Sequence, residues 1–403
     1  MQIKHLFYQG DALEVLRKLP DESVQCAITS PPYWSLRDYG TEGQIGLEET
    51  PEQYVNRLVD VFREVWRVLR ADGIMFLNLG DSYAGSWGNY GAREGRQRGR
   101  ISERWHRPAY EDPRAGWAGL PPTAKPSPDL KPKDLVGIPW LVAFALRADG
   151  WYLRSDIIWN KPNPMPESVT DRPTKAHEYI FLLSKSPKYY YDAEAVKEEA
   201  SGRSCGNRTY KYDGLKGHET KQGILAVADK EYHARNRRTV WTIATQPFPE
   251  AHFATFPQAL VEPCILAGTS EKACPKCGAP WERVVEKERT FESGSGRSGN
   301  LPNGKHGLGL QGGGATVDIR RGPVVHTTTI GFQPTCTCPD NDGSGACVVL
   351  DPFGGSGTVS LVAKRLGRGS IYIDLNPEYL QMALKRMGNQ ETLFEEHGIE
   401  VIQ

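Results

Sequence analysis

The sequence predicts an α/β protein built on a mainly parallel sheet, and three stretches carry that prediction. VVLDPFGGSGT (348–358) is an apolar run that stops at an acid and enters a glycine-rich turn. After a helical stretch, GSIYID stops at Asp374, which completes a strand, tight loop, helix and strand. Near the amino end, the run SVQCAIT enters SPPYW, and GIMFLNLGD later repeats the pattern of an apolar run closed by an acid. Apolar runs alternating with helical patterns suit a sheet covered by helices on both faces, three layers in all.

The elements follow in order. IKHLFYQGD leads into a short helical pattern, ALEVLRKLP, and VQCAIT reads as a buried strand. From Thr50 to Leu69 apolar groups recur at helical spacing, with Thr50 placed to cap the helix and Glu52 and Gln53 in its first turn. LVGIPWLVAFALRADG and PQALVEPCILAG read as helices; WYLRSDIIWNK and HEYIFLLSKS read as strands. Cys264 falls in an apolar helical pattern and reads as core, and His177 reads as a packing residue. The acidic tail with Glu391, Glu395, Glu396 and Glu400 reads as solvated surface.

A chain of 403 residues with 39% hydrophobic side chains can bury a large core. No run of eighteen apolar residues and no basic-then-apolar leader is present, which leads to the expectation of a cytoplasmic protein without a membrane partner. Lys plus Arg equals Asp plus Glu at 49 each, so net charge says nothing about nucleic acid and local charge must decide. Two irregular zones are locally basic. Residues 82–133 hold ten Lys/Arg against five acids, and residues 201–245 hold nine against four, each a net +5.

The glycine loop is the sharpest cofactor signal. Gly354, Gly355 and Gly357 allow a tight turn and close approach to a ligand. No Gly-Lys-Ser/Thr follows, so the loop does not match a phosphate loop and favours a small or weakly charged cofactor, while an acid at the end of the next strand suits ribose hydroxyls. A nucleoside-containing cofactor is expected, and for the loop alone NAD stays open.

TSPPYW (29–34) and DPFGGSGT together resemble the amino-methylating DNA methyltransferases, which move a methyl group from S-adenosylmethionine to an exocyclic amine of cytosine or adenine. The proline element comes first and the glycine element last, an order similar to the permuted group called beta. YQGDALEVLRKLPDESV (8–24), GIMFLNLGD, WNKPNPMPES (159–168), RPTKAHEYIFLLSK (172–185) and HFATFPQALVEPCILAG (252–268) extend the resemblance over nearly the whole chain. It implies a three-layer Rossmann-like methyltransferase fold with circularly permuted motif order and irregular basic insertions. It also implies that Asp351, Phe353, Gly354, Gly355, Gly357 and Thr358 hold S-adenosylmethionine. Asp374, where many relatives carry glutamate, would bind its ribose and Asp11 its adenine. Phe256 and Pro257 would close its amino-acid end.

The chemistry explains the proline corner. An amine paired inside a duplex must leave the stack before it can be methylated, a base-flipping step. Its lone pair is delocalised into the ring, so acceptors for the amine hydrogens help to redirect it. Ser30 Oγ and the Pro31 carbonyl suit that role, because proline keeps its acceptor while losing its donor. Pro32 stiffens the corner, Tyr33 would stack on the base, and Trp34 would support it or line the pocket. Serine at position 30 is more typical of relatives that methylate cytosine N4, aspartate of those that methylate adenine N6. The expected activity is thus site-specific cytosine-N4 methylation of double-stranded DNA, with adenine-N6 methylation as the alternative. An NAD-dependent oxidoreductase leaves SPPYW without a role, and a noncatalytic DNA-binding adaptor leaves the cofactor loop without one.

The basic zones would meet DNA. Arg203, Arg208, Lys211, Arg235, Arg237 and Arg238 could neutralise phosphates or read guanine edges, and Lys161 reads as a pocket or phosphate residue. Cys274-Pro-Lys-Cys277 and Cys336-Thr-Cys338 have the composition of a four-thiolate zinc site. The chain divides into a catalytic part (1–200, with the basic insertion 82–133), a target-recognition region (201–245) and a cofactor-closing helix region (246–273). A cysteine knuckle with a glycine-rich insertion (274–338), a cofactor-binding part (339–390) and the acidic tail (391–403) follow. A homodimer and a cognate restriction endonuclease are partners on which the sequence is silent.

Overall fold

The computed structural model describes residues 3–36, 38–84, 130–131, 133–199, 234–246, 257–290, 324–388 and 398–402. Most of the two basic zones, including Arg203, Arg208 and Lys211, lies outside the described residues, as do Phe256 and the glycine-rich stretch 291–323.

A nine-stranded sheet carries the fold. Its strands are β1 (Lys4–Gln9), β2 (Val24–Thr29), β3 (Leu69–Leu79), β4 (Tyr152–Asn160), β5 (His177–Ser184), β8 (Val240–Thr242), β11 (Val348–Asp351), β12 (Gly369–Asp374) and β13 (Gly398–Ile402). They lie in the order β13-β1-β12-β11-β2-β3-β5-β4-β8. Neighbours pair in parallel except around β5, which runs against both β3 and β4. The four remaining strands, β6 (Glu198–Glu199) with β7 (Ala234–Arg235) and β9 (Glu282–Thr290) with β10 (Val324–Gln333), form two separate pairs.

Alternation along the strands builds the three layers. In β2 all six residues are buried, as a strand covered on both faces requires. Ala27 belongs to the core shared with α1 (Ala12–Leu16), α2 (Pro51–Val68) and α3 (Ile138–Ala148). Its neighbour Cys26 points the other way, against α4 (Gln258–Gly268): a Cβ on Gly268 would come within 2.5 Å of the Cys26 sulfur. In β12, likewise, Ile371 and Ile373 face the first core, while Tyr372 joins Phe7, Leu361, Leu380, Ala383 and Met387 in the second. That second core lies under α5 (Thr358–Arg365) and α6 (Pro377–Gly388).

Local chemistry sets the helix ends. Thr50 Oγ1 accepts from Gln53 N–H at 3.3 Å and Pro51 opens α2, whose buried stripe includes Tyr54, Leu58, Phe62 and Val65. Asp11 caps α1. In α4 Cys264 is 2% exposed, as a core residue should be.

Some elements differ from the expectation. The strand expected from Gly73 begins at Leu69, directly after α2. The tail is not uniformly solvated chain: residues 398–402 form the edge strand β13 beside β1, with Glu400 paired to Lys4 at 2.8 Å.

The chain groups into two compact units, Met1–Ala195 with Arg238–Glu282 and Pro334–Gln403, and Val196–Arg237 with Arg283–Gln333. This grouping cuts across the expected divisions at 201–245 and 274–338. Within the smaller unit, Arg235 Nε meets Glu198 at 2.7 Å across the β6–β7 pair, and Arg283 lies over the Phe332 ring at 4.8 Å. No helix among the described residues is long and apolar enough to cross a membrane.

Candidate active site

Parallel strands deliver their following loops to one sheet edge. There β1 leads to Asp11, β2 to Ser30, β11 to the glycine loop, and β12 ends at Asp374. Because β5 runs backwards, its first residues arrive at this same edge, with Tyr179 opposite Leu79 of β3 and Glu178 opposite Trp159 of β4. A cleft of about 860 Å³ opens here. It brings together, of the expected residues, Asp11, Ser30, Pro31, Pro32, Tyr33, Lys161, Phe353, Gly354, Gly355, Thr358 and Asp374. Tyr33 and Asp374 thus share one cavity.

On the cofactor side the loop is shaped by the absence of side chains. Gly355 and Gly357 have φ of +49° and +72°, in the left-handed region. A Cβ on Gly354 would come within 2.2 Å of the Tyr372 ring, and one on Gly357 within 2.6 Å of Ala383 Cβ. Asp374 holds the loop from the next strand: Oδ2 accepts from Gly355 N–H at 2.7 Å and Oδ1 from Asn376 N–H at 2.8 Å. Burial pushes its carboxyl up to about 6. Each oxygen of a carboxylate has a second lone pair, so acceptor capacity toward a diol remains. Next to it, after the neighbouring strand β1, Asp11 has two parts. Its Oδ1 caps α1, accepting from Leu13 and Glu14 N–H at 2.9 and 3.1 Å, while the residue also lines the cavity. Tyr39 and Tyr379 meet edge to face with centroids 6.2 Å apart on the same wall.

Three expected cofactor contacts are placed elsewhere. Asp351 is 1% exposed and does not line the cleft. Its Oδ1 accepts from Thr29 Oγ1 at 2.8 Å and from Phe353 N–H at 3.1 Å, and burial pushes its carboxyl up to about 7. It ties β11 to β2 and fixes the start of the loop. Gly357 is likewise absent from the cavity wall and serves the turn against α6. Pro257 is buried at the N-cap of α4, also off the cleft wall.

On the opposite side a polar chain begins at Ser30. Ser30 Oγ donates to Tyr33 Oη at 3.2 Å, and Tyr33 Oη donates to Glu178 Oε2 at 2.8 Å. Asn78 Nδ2 also donates to Oε2, at 3.1 Å, and Lys161 Nζ closes an ion pair on Oε1. The Lys161 ammonium stands 4.3 Å from the centre of the Trp159 ring. Burial, and then the Glu178 charge, raise the Tyr33 phenol well above its ordinary value, so it stays a donor at neutral pH. Two contacts fix the corner itself. Tyr54 Oη donates to the Pro32 carbonyl at 2.9 Å, and a Cβ on Gly80 would come within 2.4 Å of the Tyr33 ring. Trp34 does not reach the cleft: it is 4% exposed in the core, its Nε1 donating to the Glu48 carbonyl at 2.9 Å. The φ of +56° at Ser35 turns the chain just after it.

The family model described as DNA methylase, of the N6/N4 methyltransferase type, matches residues 24–274 and 343–385. The chain belongs to that family. It is 40% identical to the Type II methyltransferase M.Cfr9I of Citrobacter freundii over 96% of this chain and 88% of that relative. It is 38% identical to the Type II methyltransferase M.SmaI of Serratia marcescens over 94% and 89%. A solved protein of Thermus thermophilus, TTHA0409, in complex with S-adenosyl-L-methionine, aligns with 99% of this chain and all of its own at 19% identity and a TM-score of 0.46. This DNA methylase is therefore one of the DNA amino-methyltransferases.

Sequence reasoning about the methylase missed Glu178, Asn78, Tyr39 and Tyr379. Glu178 was legible only as part of the quoted RPTKAHEYIFLLSK segment, since a lone acid at the start of a strand carries no signal of its own. His177 beside it packs edge to face on Tyr179 at 5.3 Å, and burial lowers its pKa. Arg235, Arg237 and Arg238 do not line the methylase cleft. The four expected cysteines converge, with their sulfurs all within 4.8 Å of one another.

Proposed function

We propose that this DNA methyltransferase methylates the N4 amine of a cytosine turned out of double-stranded DNA. The observation that carries the reading is the direction of the hydrogen bonds leaving Ser30. Its proton goes to Tyr33 Oη, whose own proton goes to Glu178. The lone pairs of Ser30 Oγ are left to accept from an amine in the cleft, as the Pro31 carbonyl does from a fixed corner. The resemblance of SPPYW to the cytosine-type element supports cytosine over adenine.

S-adenosylmethionine fits the other side of the cleft, where the loop lacks side chains and Asp374, Asp11 and Phe353 offer a carboxylate for ribose, an acid near the base and an aromatic wall. Bound there, it supplies a methyl carbon on a positively charged sulfur. The protein's residues do the rest. Two acceptors on one amine pull its nitrogen toward tetrahedral geometry and free the lone pair. The Tyr33 ring offers a stacking surface worth about 1–3 kcal/mol per base. Once nitrogen has gained carbon, its surplus proton can pass to Ser30 Oγ as the serine gives its own to Tyr33 and the tyrosine gives its own to Glu178. Lys161 holds the Glu178 carboxylate in place at the end of that chain.

Unmodified duplex DNA treated with the protein and S-adenosylmethionine should yield N4-methylcytosine on nucleoside analysis. N6-methyladenine as the product would overturn the base assignment. The Type II names of the relatives support a cognate restriction endonuclease as partner; protection of methylated DNA from an endonuclease encoded beside the gene is the test.

A further inference from the structure

We infer that Cys274, Cys277, Cys336 and Cys338 hold one structural zinc ion that ties residues 274–282 to residues 334–347 beside the first residues of β2 and β11, at the end of the sheet away from the cleft. The four sulfurs lie within 4.8 Å of one another, and all four thiols are free. In a tetrahedral four-thiolate zinc site the sulfurs stand about 3.8 Å apart, from zinc–sulfur bonds of about 2.3 Å. The present spread is thus within about 1 Å of the bound arrangement, and no backbone rearrangement is needed to complete it.

The backbone around the first pair has the shape of a metal knuckle. Gly278 N–H donates to the Cys274 carbonyl and Cys274 N–H to the Ala279 carbonyl, both at 2.9 Å, and Gly278 takes φ of +69° to close the turn. The second pair is held against it. Ala273 and Gly345 exchange two backbone hydrogen bonds of 3.0 Å, and Thr335 Oγ1 donates to the Pro280 carbonyl at 2.6 Å. Asn341 accepts from Trp281 Nε1 at 3.0 Å and donates its Nδ2 to Cys336 Sγ at 3.3 Å. A side-chain N–H aimed at sulfur is what a thiolate, more than a thiol, requires. Four such thiolates around Zn²⁺ carry a net charge of −2. Arg70, which donates to the Cys277 carbonyl, and Lys272, stacked on Trp281, supply nearby positive charge.

The position separates this site from catalysis. Gln25, second residue of β2, donates to the Gly278 carbonyl at 2.8 Å and accepts from Val348 N–H, the first residue of β11, at 2.5 Å. Ser30 and the glycine loop follow the far ends of these strands, about 16 Å away along β2 at about 3.3 Å per residue. With four protein sulfurs the metal keeps no open position, so its part is structural. It joins residues 277 and 336, and the loop-closure cost of the intervening chain falls on metal binding instead of on folding alone. Zinc displaces up to four thiol protons to solvent, so the site tightens as pH rises.

The test uses the full chain, purified reduced and without chelator. Elemental analysis should find one zinc per chain, and the paired variant Cys336→Ser/Cys338→Ser should lose it. Chelator treatment followed by Co²⁺ should give the intense thiolate-to-cobalt absorption of a tetrahedral sulfur site, which reports on the parent protein even where a variant fails to fold. Well under one metal per chain after zinc is added back, with four titratable thiols, would overturn the proposal. So would a disulfide joining the two pairs in protein that still transfers methyl groups at the parent rate.

Discussion

The two halves of the main sheet serve the cleft by different means. In β13-β1-β12-β11-β2 every pair is parallel, so loops arrive at one edge and backbone shape does most of the positioning: a side-chain-free turn, an acid at a strand end, a proline corner. In β3-β5-β4-β8 the reversed strand β5 brings Glu178 beside Asn78, Trp159 and Lys161, and positioning depends on side chains meeting across a register. The first half recognises by leaving room. The second works by a connected set of donors and acceptors. A single substitution should therefore fail differently on each side.

The sharpest break is expected at the corner where the halves meet. Ser30→Ala should lower kcat by about 10²–10³-fold, the range for one lost donor or acceptor at a developing charge, with S-adenosylmethionine affinity unchanged. Transfer at the parent rate would remove Ser30 from the chemistry. On the antiparallel side, Glu178→Gln keeps the size but takes the proton acceptor from the Tyr33 chain. A fall in kcat of about 10–100-fold is expected at unchanged KM for DNA, with an altered pH–rate profile. If the pH profile stayed that of the parent, Glu178 would be no more than a packing partner. On the parallel side, Gly354→Ala should instead act through binding and stability. The new methyl meets the Tyr372 ring, overpacking costs about 1–3 kcal/mol, and calorimetric titration should show weaker S-adenosylmethionine binding.

The smallest effect is one of pH. Burial holds Asp351 at about 7 and Asp374 at about 6, above the carboxylate range of an unfolded chain. From about pH 4 to 7 the folded state keeps protons that the unfolded state has released. These two groups thus favour folding at low pH, and that contribution is lost as pH rises through their folded values. Urea midpoints should show it, with Asp351→Asn flattening the slope between pH 5 and 8. Cofactor affinity should move the opposite way, falling below about pH 6 as Asp374 loses an acceptor.

Much of the parallel half was legible because its signals are local. Gly354 to Gly357 and Asp374 announce a turn and a ligand in a few consecutive letters, and SPPYW announces a stiffened corner. Trp34 and Asp351 depend on contacts that are not local. Both sit in the right motif, yet their side chains turn inward, Trp34 to the Glu48 carbonyl and Asp351 to the Thr29 hydroxyl. Nothing in the letters around them states those facts. Glu178 was hidden for a different reason: its partners Tyr33 and Asn78 lie 145 and 100 positions away, and only a reversed strand brings them together. The edge strand β13 escaped notice because its pairing with β1 joins the two ends of the chain.

The bond from Thr29 to Asp351 spans 322 positions and joins two strands at the middle of the sheet. During synthesis β2 and β3 leave the ribosome long before β11 exists, so one side of β2 must wait unpaired for most of translation. Enzymatic competence then arrives only after β11 and the glycine loop behind it have been made. A nascent or prematurely terminated product would be unable to mark DNA, and its open strand edge would make it a client for chaperones.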